Sequence, residues 1–281
     1  MRSDQVQHWA AFSDGEQGGN PAGVLLGATL PPAAEMQALA ASLGYSETVF
    51  AAPLGDGDWR VRYFSPAAEV PFCGHATVAL GAALAQAHGA ARYELQLNHA
   101  RISVEGQRAG ALTAAALQSP PSRSAPAAPA LLAEALALFG LTAHELDARL
   151  PPALAHAGND HLLLMLRGRA RLAAMHYELE AGRRLMQAHG LTTILLGWAE
   201  TPRLFHTRNA FAIGGVLEDP ATGAASAALG GYLRDIGWPH EGSIEIVQGE
   251  DMGMRSRLRV EIGGEAGASL RVSGTARQLR A

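Results

Sequence analysis

The chain has 281 residues, of which 48% are hydrophobic and 17% are charged, so it is long enough for one large or two ordinary domains and is too apolar to be disordered. A net charge of −4 argues against a broad basic surface for nucleic acid. The single cysteine excludes a disulfide framework within the chain and a multi-cysteine metal site, and the absence of lysine excludes Schiff-base chemistry on a lysine.

The N-terminal segment shows none of the usual targeting patterns. Residues 1–15 include Asp4, His8 and Asp14 and lack the apolar core of a signal peptide. The longest purely apolar runs are far shorter than the roughly 20 residues that span a bilayer. We therefore expect a soluble cytoplasmic protein with neither a membrane nor a nucleic-acid partner.

The first part of the chain predicts strands and two helices. Alternation with Val6, His8 and Ala10 on one face indicates a first strand, and a turn cluster at 18–21 follows it. Apolar spacing predicts a helix over 34–43, and a second, Ala-rich helix over 76–88 is apolar nearly all round, which is typical of a buried helix. The predicted strands are 22–26, 48–52, 59–64, 93–97 and 101–105.

The second part repeats this order after a Pro-rich connector at 119–129. A helix is predicted over 130–139 and another Ala-rich helix over 224–233, with strands at 161–166, 193–197, 244–248, 258–262 and 269–273. Each Ala-rich helix follows a Pro/Gly-containing loop. The pattern indicates an internal repeat of two α+β halves, each with strands around one buried helix. We place the halves at 1–118 and 119–262, and leave the closing strand at 263–281 unassigned to either half.

The starts of the two Ala-rich helices are candidate anion sites. A helix N-terminus presents unpaired backbone N–H groups and a partial positive charge, which suit a carboxylate. The segments are 74–77 and 223–225. The alternative is that Gly74 and Gly223 are ordinary turn glycines and that Thr77 and Thr222 are helix caps.

Three titratable residues near these loops could carry chemistry. Glu47 opens an apolar strand, so it lies either at a solvent-facing strand end or in a desolvated position suited to proton transfer. Asp219 could cap the second helix or orient an imidazole, and His75 stands in a Cys-Gly-His turn at a helix start. Motifs for a serine nucleophile elbow or a phosphate-binding loop are absent from the sequence.

Several motifs together resemble the PhzF-type phenazine biosynthesis family. They are GNPAGV at 19–24, SETVF at 46–50, RYFSP at 62–66, EVPFCGHAT at 69–77 and EDPATG at 218–223. Their order and spacing cover nearly the whole chain. The resemblance implies the α+β diaminopimelate epimerase fold, with two pseudo-symmetric halves that each place a curved, mostly antiparallel sheet around a central helix.

The resemblance also implies a function and a set of site residues. It implies a cofactor-independent isomerase, often dimeric, that moves a proton between carbons of a small carboxylate, as in isomerisation of trans-2,3-dihydro-3-hydroxyanthranilate. Glu47 would be the general acid/base, and His75 and Asp219 would hold the substrate and assist proton movement. The matching substrate-binding positions are Asn20, Gly74, Ala76, Thr77, Thr222, Gly223 and Ala224.

One departure from the family pattern bears on the substrate. Ala224 stands where the family commonly has serine, and Ser226 is about 200° further around the helix. Two alternatives therefore stay open: an amino-acid racemase or epimerase, and a non-catalytic ligand-binding relative. A two-thiol racemase mechanism conflicts with the single cysteine, Cys73, which we expect to be dispensable for the chemistry.

Overall fold

The structure is a computed structural model that describes residues 6–55 and 57–279. The described chain divides into two compact units. The first runs to Gln118 and takes in the residues from Val272 onward, and the second is Ser119–Arg271. The C-terminal segment that the sequence left unassigned is therefore split between the two units at Arg271.

The first unit contains nine strands and two helices among the described residues. The strands are β1 (Gln7–Ser13), β2 (Asn20–Leu26), β3 (Glu47–Gly55), β4 (Asp58–Phe64), β5 (Glu69–Val70), β6 (Ala91–Gln96), β7 (Arg101–Ala109), β8 (Leu112–Gln118) and β17 (Arg271–Gln278); the helices are α1 (Ala33–Leu43) and α2 (Gly74–His88).

The second unit contains eight strands and four helices among the described residues. The strands are β9 (Arg123–Pro126), β10 (Ala153–His156), β11 (Asp160–Met165), β12 (Thr193–Ala199), β13 (Leu204–Ala210), β14 (Glu218–Asp219), β15 (Ser243–Gln248) and β16 (Ser256–Glu261); the helices are α3 (Pro129–Leu138), α4 (Arg169–Ala173), α5 (Leu179–Ala188) and α6 (Gly223–Asp235).

Each unit places its strands around one buried helix, as the repeat in the sequence predicts. In the first unit the strands pair in the order β17-β1-β2-β3-β4-β6-β7-β8, and β8 pairs with β17 to close the ring. Helix α2 packs against β1, β2, β3, β7 and β8, and its residues 74–85 are all buried. In the second unit α6 packs against β9, β10, β11, β15 and β16.

Small residues allow the strands to approach these central helices closely. A Cβ at Gly106 of β7 would lie 2.2 Å from the backbone oxygen of Gly81 in α2. That distance is far inside van der Waals contact, so only glycine fits this crossing. The abundance of alanine and glycine in α2 and α6 thus fits their close packing against the strands of their units.

Several elements differ from the sequence-based prediction. The connector at 119–129 contains β9, which pairs with β10. Four further elements were not predicted from the sequence: β8, β10, β13 and α5. The predicted strand at 269–273 is longer and later, because β17 pairs with β1 through residue 278. The predicted alternation in the first strand is wrong: Trp9, Ala10 and Ala11 are all buried. Since successive side chains point to opposite faces, both faces of β1 are covered, and α2 packs against this strand.

Within the described part of the chain, the helices are all too short or too polar to cross a lipid bilayer.

Candidate active site

Glu47 is a buried carboxyl at the first position of β3. Glu47 pairs with Ala22 of the parallel strand β2, and only 4% of the residue is exposed to solvent. Of the two positions that the sequence allowed, the structure therefore has the desolvated one. Asn20 lies two residues before Ala22, so strand alternation puts its side chain on the same face of the sheet as Glu47.

His75 lies beside Glu47 in the first turn of α2. Its Nε2 atom is 3.5 Å from the Oε2 atom of Glu47 and 3.4 Å from the Oγ atom of Ser46. Burial lowers the pKa of His75 to about 3, because the desolvated ring disfavours the charged form. The imidazole is therefore neutral near pH 7 and carries a proton on one nitrogen only.

Cys73 occupies the other side of the same ring. It is the residue immediately before α2, and its Sγ atom is 3.3 Å from Nδ1 of His75. Cys73, His75 and Glu47 also offer three possible metal-ligand atoms within 4.8 Å of one another. The two contacts of the ring use different nitrogens, so the three residues form a chain from Cys73 through the imidazole to Glu47.

Thr77 supports the helix start from inside the core. Its hydroxyl donates to the backbone oxygen of Cys73 at 2.6 Å, and the Tyr63 hydroxyl lies 2.7 Å from the same oxygen atom of Thr77. Its backbone N–H also bonds the Cys73 oxygen. These contacts commit Thr77 to the core, so we leave it out of the proposed substrate contacts. Gly74 and Ala76 are in the first turn, where backbone N–H groups have no intrahelical acceptor.

In the second unit, Asp219 lies on β14 at the start of α6 and is 3% exposed. The Thr222 hydroxyl donates to its Oδ2 atom at 2.5 Å. Thr222 is the residue before the helix, and its side chain makes no capping bond to the helix backbone. Asp219 thus accepts a hydrogen bond from Thr222. Its predicted roles as a cap of α6 or as the partner that orients an imidazole stay predictions.

Gln248 of β15 fixes the loop that carries Asp219. Its amide nitrogen donates to the Asp219 backbone oxygen at 2.7 Å, and its amide oxygen accepts from the Thr222 backbone N–H at 3.2 Å. Gln248 is not among the site residues predicted from the sequence. No local pattern in the sequence could link a residue of β15 to a loop 26 residues earlier.

Gly249 continues this support and requires glycine for two reasons. Its φ angle is +72°, and a Cβ there would lie 2.7 Å from the Pro220 oxygen and 2.5 Å from the Met254 oxygen. The backbone of this turn therefore packs directly against the loop 218–223.

An ion pair with the same geometry precedes the helix in each unit. Arg208 and Glu218 make two bonds of 3.0 and 2.5 Å between β13 and β14. Arg62 and Glu69 make two bonds of 2.7 and 2.6 Å between β4 and β5. In both units the glutamate is five residues before the first residue of the central helix, so the pairs mark equivalent positions.

The two units differ in one hydrogen bond between the strand that carries this arginine and the central helix. Tyr63 follows Arg62 and bonds Thr77, the fourth residue of α2. The corresponding residues in the second unit are Asn209 and Ser226, both 0% exposed. The amide atoms of Asn209 and the hydroxyl of Ser226 are buried with no hydrogen-bond partner among the described residues. The shorter side chains thus leave the second unit without the bond that the first unit makes.

Comparison with known proteins identifies the family. The profile of the PhzC-PhzF family, described as phenazine biosynthesis-like protein, matches residues 9–280. An uncharacterized isomerase of Deinococcus radiodurans is 34% identical, covering 90% of this chain and 85% of its own. A trans-2,3-dihydro-3-hydroxyanthranilate isomerase of Pseudomonas fluorescens is 30% identical, covering 93% of this chain and 91% of its own.

A solved structure shares the fold. The PhzF-family phenazine biosynthesis protein of Bacillus anthracis superposes with a TM-score of 0.85 and covers 98% of this chain and 96% of its own, at 23% identity. The α+β fold class predicted from the sequence is confirmed, as is the isomerase class of enzyme. The chain therefore belongs to the PhzF family of phenazine biosynthesis-like proteins.

Proposed function

We propose that this protein is a cofactor-independent isomerase that moves a proton between two carbons of a small carboxylate, with Glu47 as the general acid/base. The observation that carries the proposal is the buried contact of 3.5 Å between Glu47 and a neutral His75, in a chain of this family. A proton shift needs a single group that can both accept and donate, and a desolvated carboxyl suits that task without a metal.

The reaction balances with no external reagent. The Glu47 carboxylate accepts a proton from one substrate carbon while the electrons of that C–H bond shift into the carbon framework. The resulting carboxylic acid returns the proton to a different carbon, so one C–H bond breaks, another forms and a double bond moves. The Nε2 atom of His75 orients the Glu47 carboxyl in both proton-transfer steps. The ring stays neutral during these steps, so it neither gains nor loses a proton.

In the first unit, the backbone N–H groups of Gly74 and Ala76 at the start of α2 would bind a carboxylate of the substrate. In the second unit, Gly223 and Ala224 at the start of α6 are proposed as backbone donors to an anionic group in the same way. Asn20 shares a sheet face with Glu47 and would contact a polar substrate group. Within the second unit, Asp219 and Thr222 would contribute the hydrogen-bonded pair described above.

Trans-2,3-dihydro-3-hydroxyanthranilate is the first compound to test, since it is the substrate in the name of a relative. The assay measures isomerisation and, in D₂O, deuterium incorporation at carbon. We expect Glu47→Gln to abolish turnover, while Glu35→Gln on the exposed surface of α1 leaves it unchanged. Full activity of Glu47→Gln on any substrate that the protein turns over would refute the proposal.

We propose the substrate only as a class, a small carboxylate. The reason is that Ala224 carries a methyl group where the family commonly has serine, so the serine hydroxyl is missing at that position. Deuterium exchange at the α-carbon of an amino acid would instead support the racemase alternative. Binding of a small carboxylate without turnover would support the non-catalytic one. A cytoplasmic location and a homodimer stay predictions, and sedimentation measures the oligomeric state.

A further inference from the structure

We propose that Cys73 is a positioning residue whose thiol donates to Nδ1 of His75 and so fixes the Nε2–H tautomer that holds Glu47. The inference rests on the proposed role of Glu47 and extends it to a residue that the sequence analysis expected to be dispensable. The observation that carries it is that each ring nitrogen contacts one neighbour: Nδ1 lies 3.3 Å from Sγ of Cys73, and Nε2 lies 3.5 Å from Oε2 of Glu47.

The direction of the hydrogen bonds follows from what each group can do. A neutral imidazole has one N–H donor and one acceptor nitrogen, and an ionised carboxylate only accepts. An ionised Glu47 next to Nε2 therefore requires the proton on Nε2. Nδ1 is then the acceptor, and the group facing it must donate, which a thiol does and a thiolate or an alkyl group does not.

The surroundings favour a thiol over a thiolate. Cys73 is buried, which disfavours a charged thiolate, and the neighbouring Tyr63 hydroxyl is neutral because burial raises its pKa far above the ordinary value. The hydroxyl of Thr77 is committed to the Cys73 backbone oxygen and to Tyr63. Within the described part of this unit, the His75 ring contacts two titratable side chains, Glu47 at Nε2 and Cys73 at Nδ1.

The consequence for catalysis is that the two carboxyl oxygens of Glu47 have different roles. With Nε2–H fixed, Oε2 always accepts from His75, whether or not the carboxyl is protonated. The mobile proton is then confined to Oε1. Without a donor at Nδ1, the ring could take the other tautomer and turn an acceptor nitrogen toward Glu47, which would leave the carboxylate poorly oriented.

The direct test is the tautomer of His75, measured by ¹⁵N NMR on ¹⁵N-histidine-labelled protein, with His75→Gln identifying the resonances. We expect Nε2–H in the wild type and in Cys73→Ser, which keeps a donor, and a tautomer mixture in Cys73→Ala. His161 is the internal control: it is fully buried with Nδ1 2.7 Å from the Thr193 hydroxyl, and its resonances should not change. Nδ1–H in the wild type, or Nε2–H retained in Cys73→Ala, would overturn the inference.

The activity measurement separates this inference from the proposed function. On a substrate that the wild type turns over, Cys73→Ala should lose kcat about tenfold with little change in KM, and Cys73→Ser should stay near wild type. If Glu47→Gln is inactive while Cys73→Ala keeps its tautomer and its kcat, Glu47 is the acid/base and the role of Cys73 is wrong. If the tautomers behave as expected while Glu47→Gln is fully active, the hydrogen-bond chain stands and the proposed function fails. The wild-type spectrum by itself tests the direction, should Cys73→Ala not fold.

Discussion

The equivalent residues Thr77 and Ser226 should respond in opposite ways to the same substitution. Each is the fourth residue of its central helix and is fully buried. The Thr77 hydroxyl bonds both the Cys73 backbone oxygen and Tyr63, whereas the Ser226 hydroxyl has no partner among the described residues. Replacement by alanine therefore removes two hydrogen bonds at Thr77 and none at Ser226.

The magnitudes follow from these contacts. Thr77→Ala leaves the buried Tyr63 hydroxyl without its bond to Thr77, which costs about 1–3 kcal/mol, and removes a buried methyl group worth about 0.8 kcal/mol. We expect a loss of about 2–4 kcal/mol in the free energy of unfolding. Ser226→Ala removes an unsatisfied hydroxyl from the core and improves helix propensity, so it should be neutral or stabilising by about 1 kcal/mol.

Urea unfolding followed by circular dichroism measures both changes. Thr77→Ser is the matched control, since it keeps the hydroxyl and should lose only the methyl contribution of about 0.8 kcal/mol. Because the two residues lie in different units, separate transitions would assign each effect to its own unit. Equal destabilisation by Thr77→Ala and Ser226→Ala would refute the reasoning, because it would mean that the hydrogen bonds do not decide the outcome.

Two further predictions concern acid stability and the support of the Asp219 loop. Burial lowers the pKa of both His75 and His161 to about 3, so the folded state resists protonation between that value and the ordinary 6.5. The free energy of unfolding therefore has its full value above pH 6.5 and falls as the pH falls toward 3, by up to about 1.4 kcal/mol per pH unit for each residue. Urea unfolding at pH 7 and pH 5 measures it, and His161→Gln should make the dependence shallower; an unchanged slope would contradict the assignment. Gly249→Ala should destabilise the protein by several kcal/mol, about 3 or more, since it adds a Cβ at positive φ against the backbone oxygens of Pro220 and Met254. A melting temperature equal to that of the wild type would show that the turn has room.

Much of the fold could be predicted from local sequence signals. The two Ala-rich helices are apolar nearly all round, which is a property of residues 76–88 and 224–233 themselves and predicts that both are buried. The strands β8, β10 and β13 gave weaker signals. Each of them pairs with an adjacent strand and also with a strand that is distant in the chain: β17 for β8, β9 for β10 and β15 for β13. Local propensity does not contain the information on these distant pairings.

For the candidate site, the sequence by itself determined which chemistry is available. One cysteine, no lysine and a few titratable residues next to helix starts left Glu47, His75 and Asp219 as candidates, and motif order pointed to the family. The sequence left open whether Glu47 was exposed or desolvated. Only the tertiary structure decided this, because the burial of a residue at the start of a strand depends on which strands and helices cover it.

The tertiary structure also decided how the side chains are used. Cys73 and His75 are close in sequence, but only the fold brings the other ring nitrogen, Nε2, to Glu47, 28 residues earlier in the chain. Likewise the contact of Tyr63 with Thr77, and its absence at Asn209 and Ser226, depends on side-chain reach across a packed core. The physical reason is the same in each case: a hydrogen bond is decided by distance and direction in space, which the order of residues constrains but does not set.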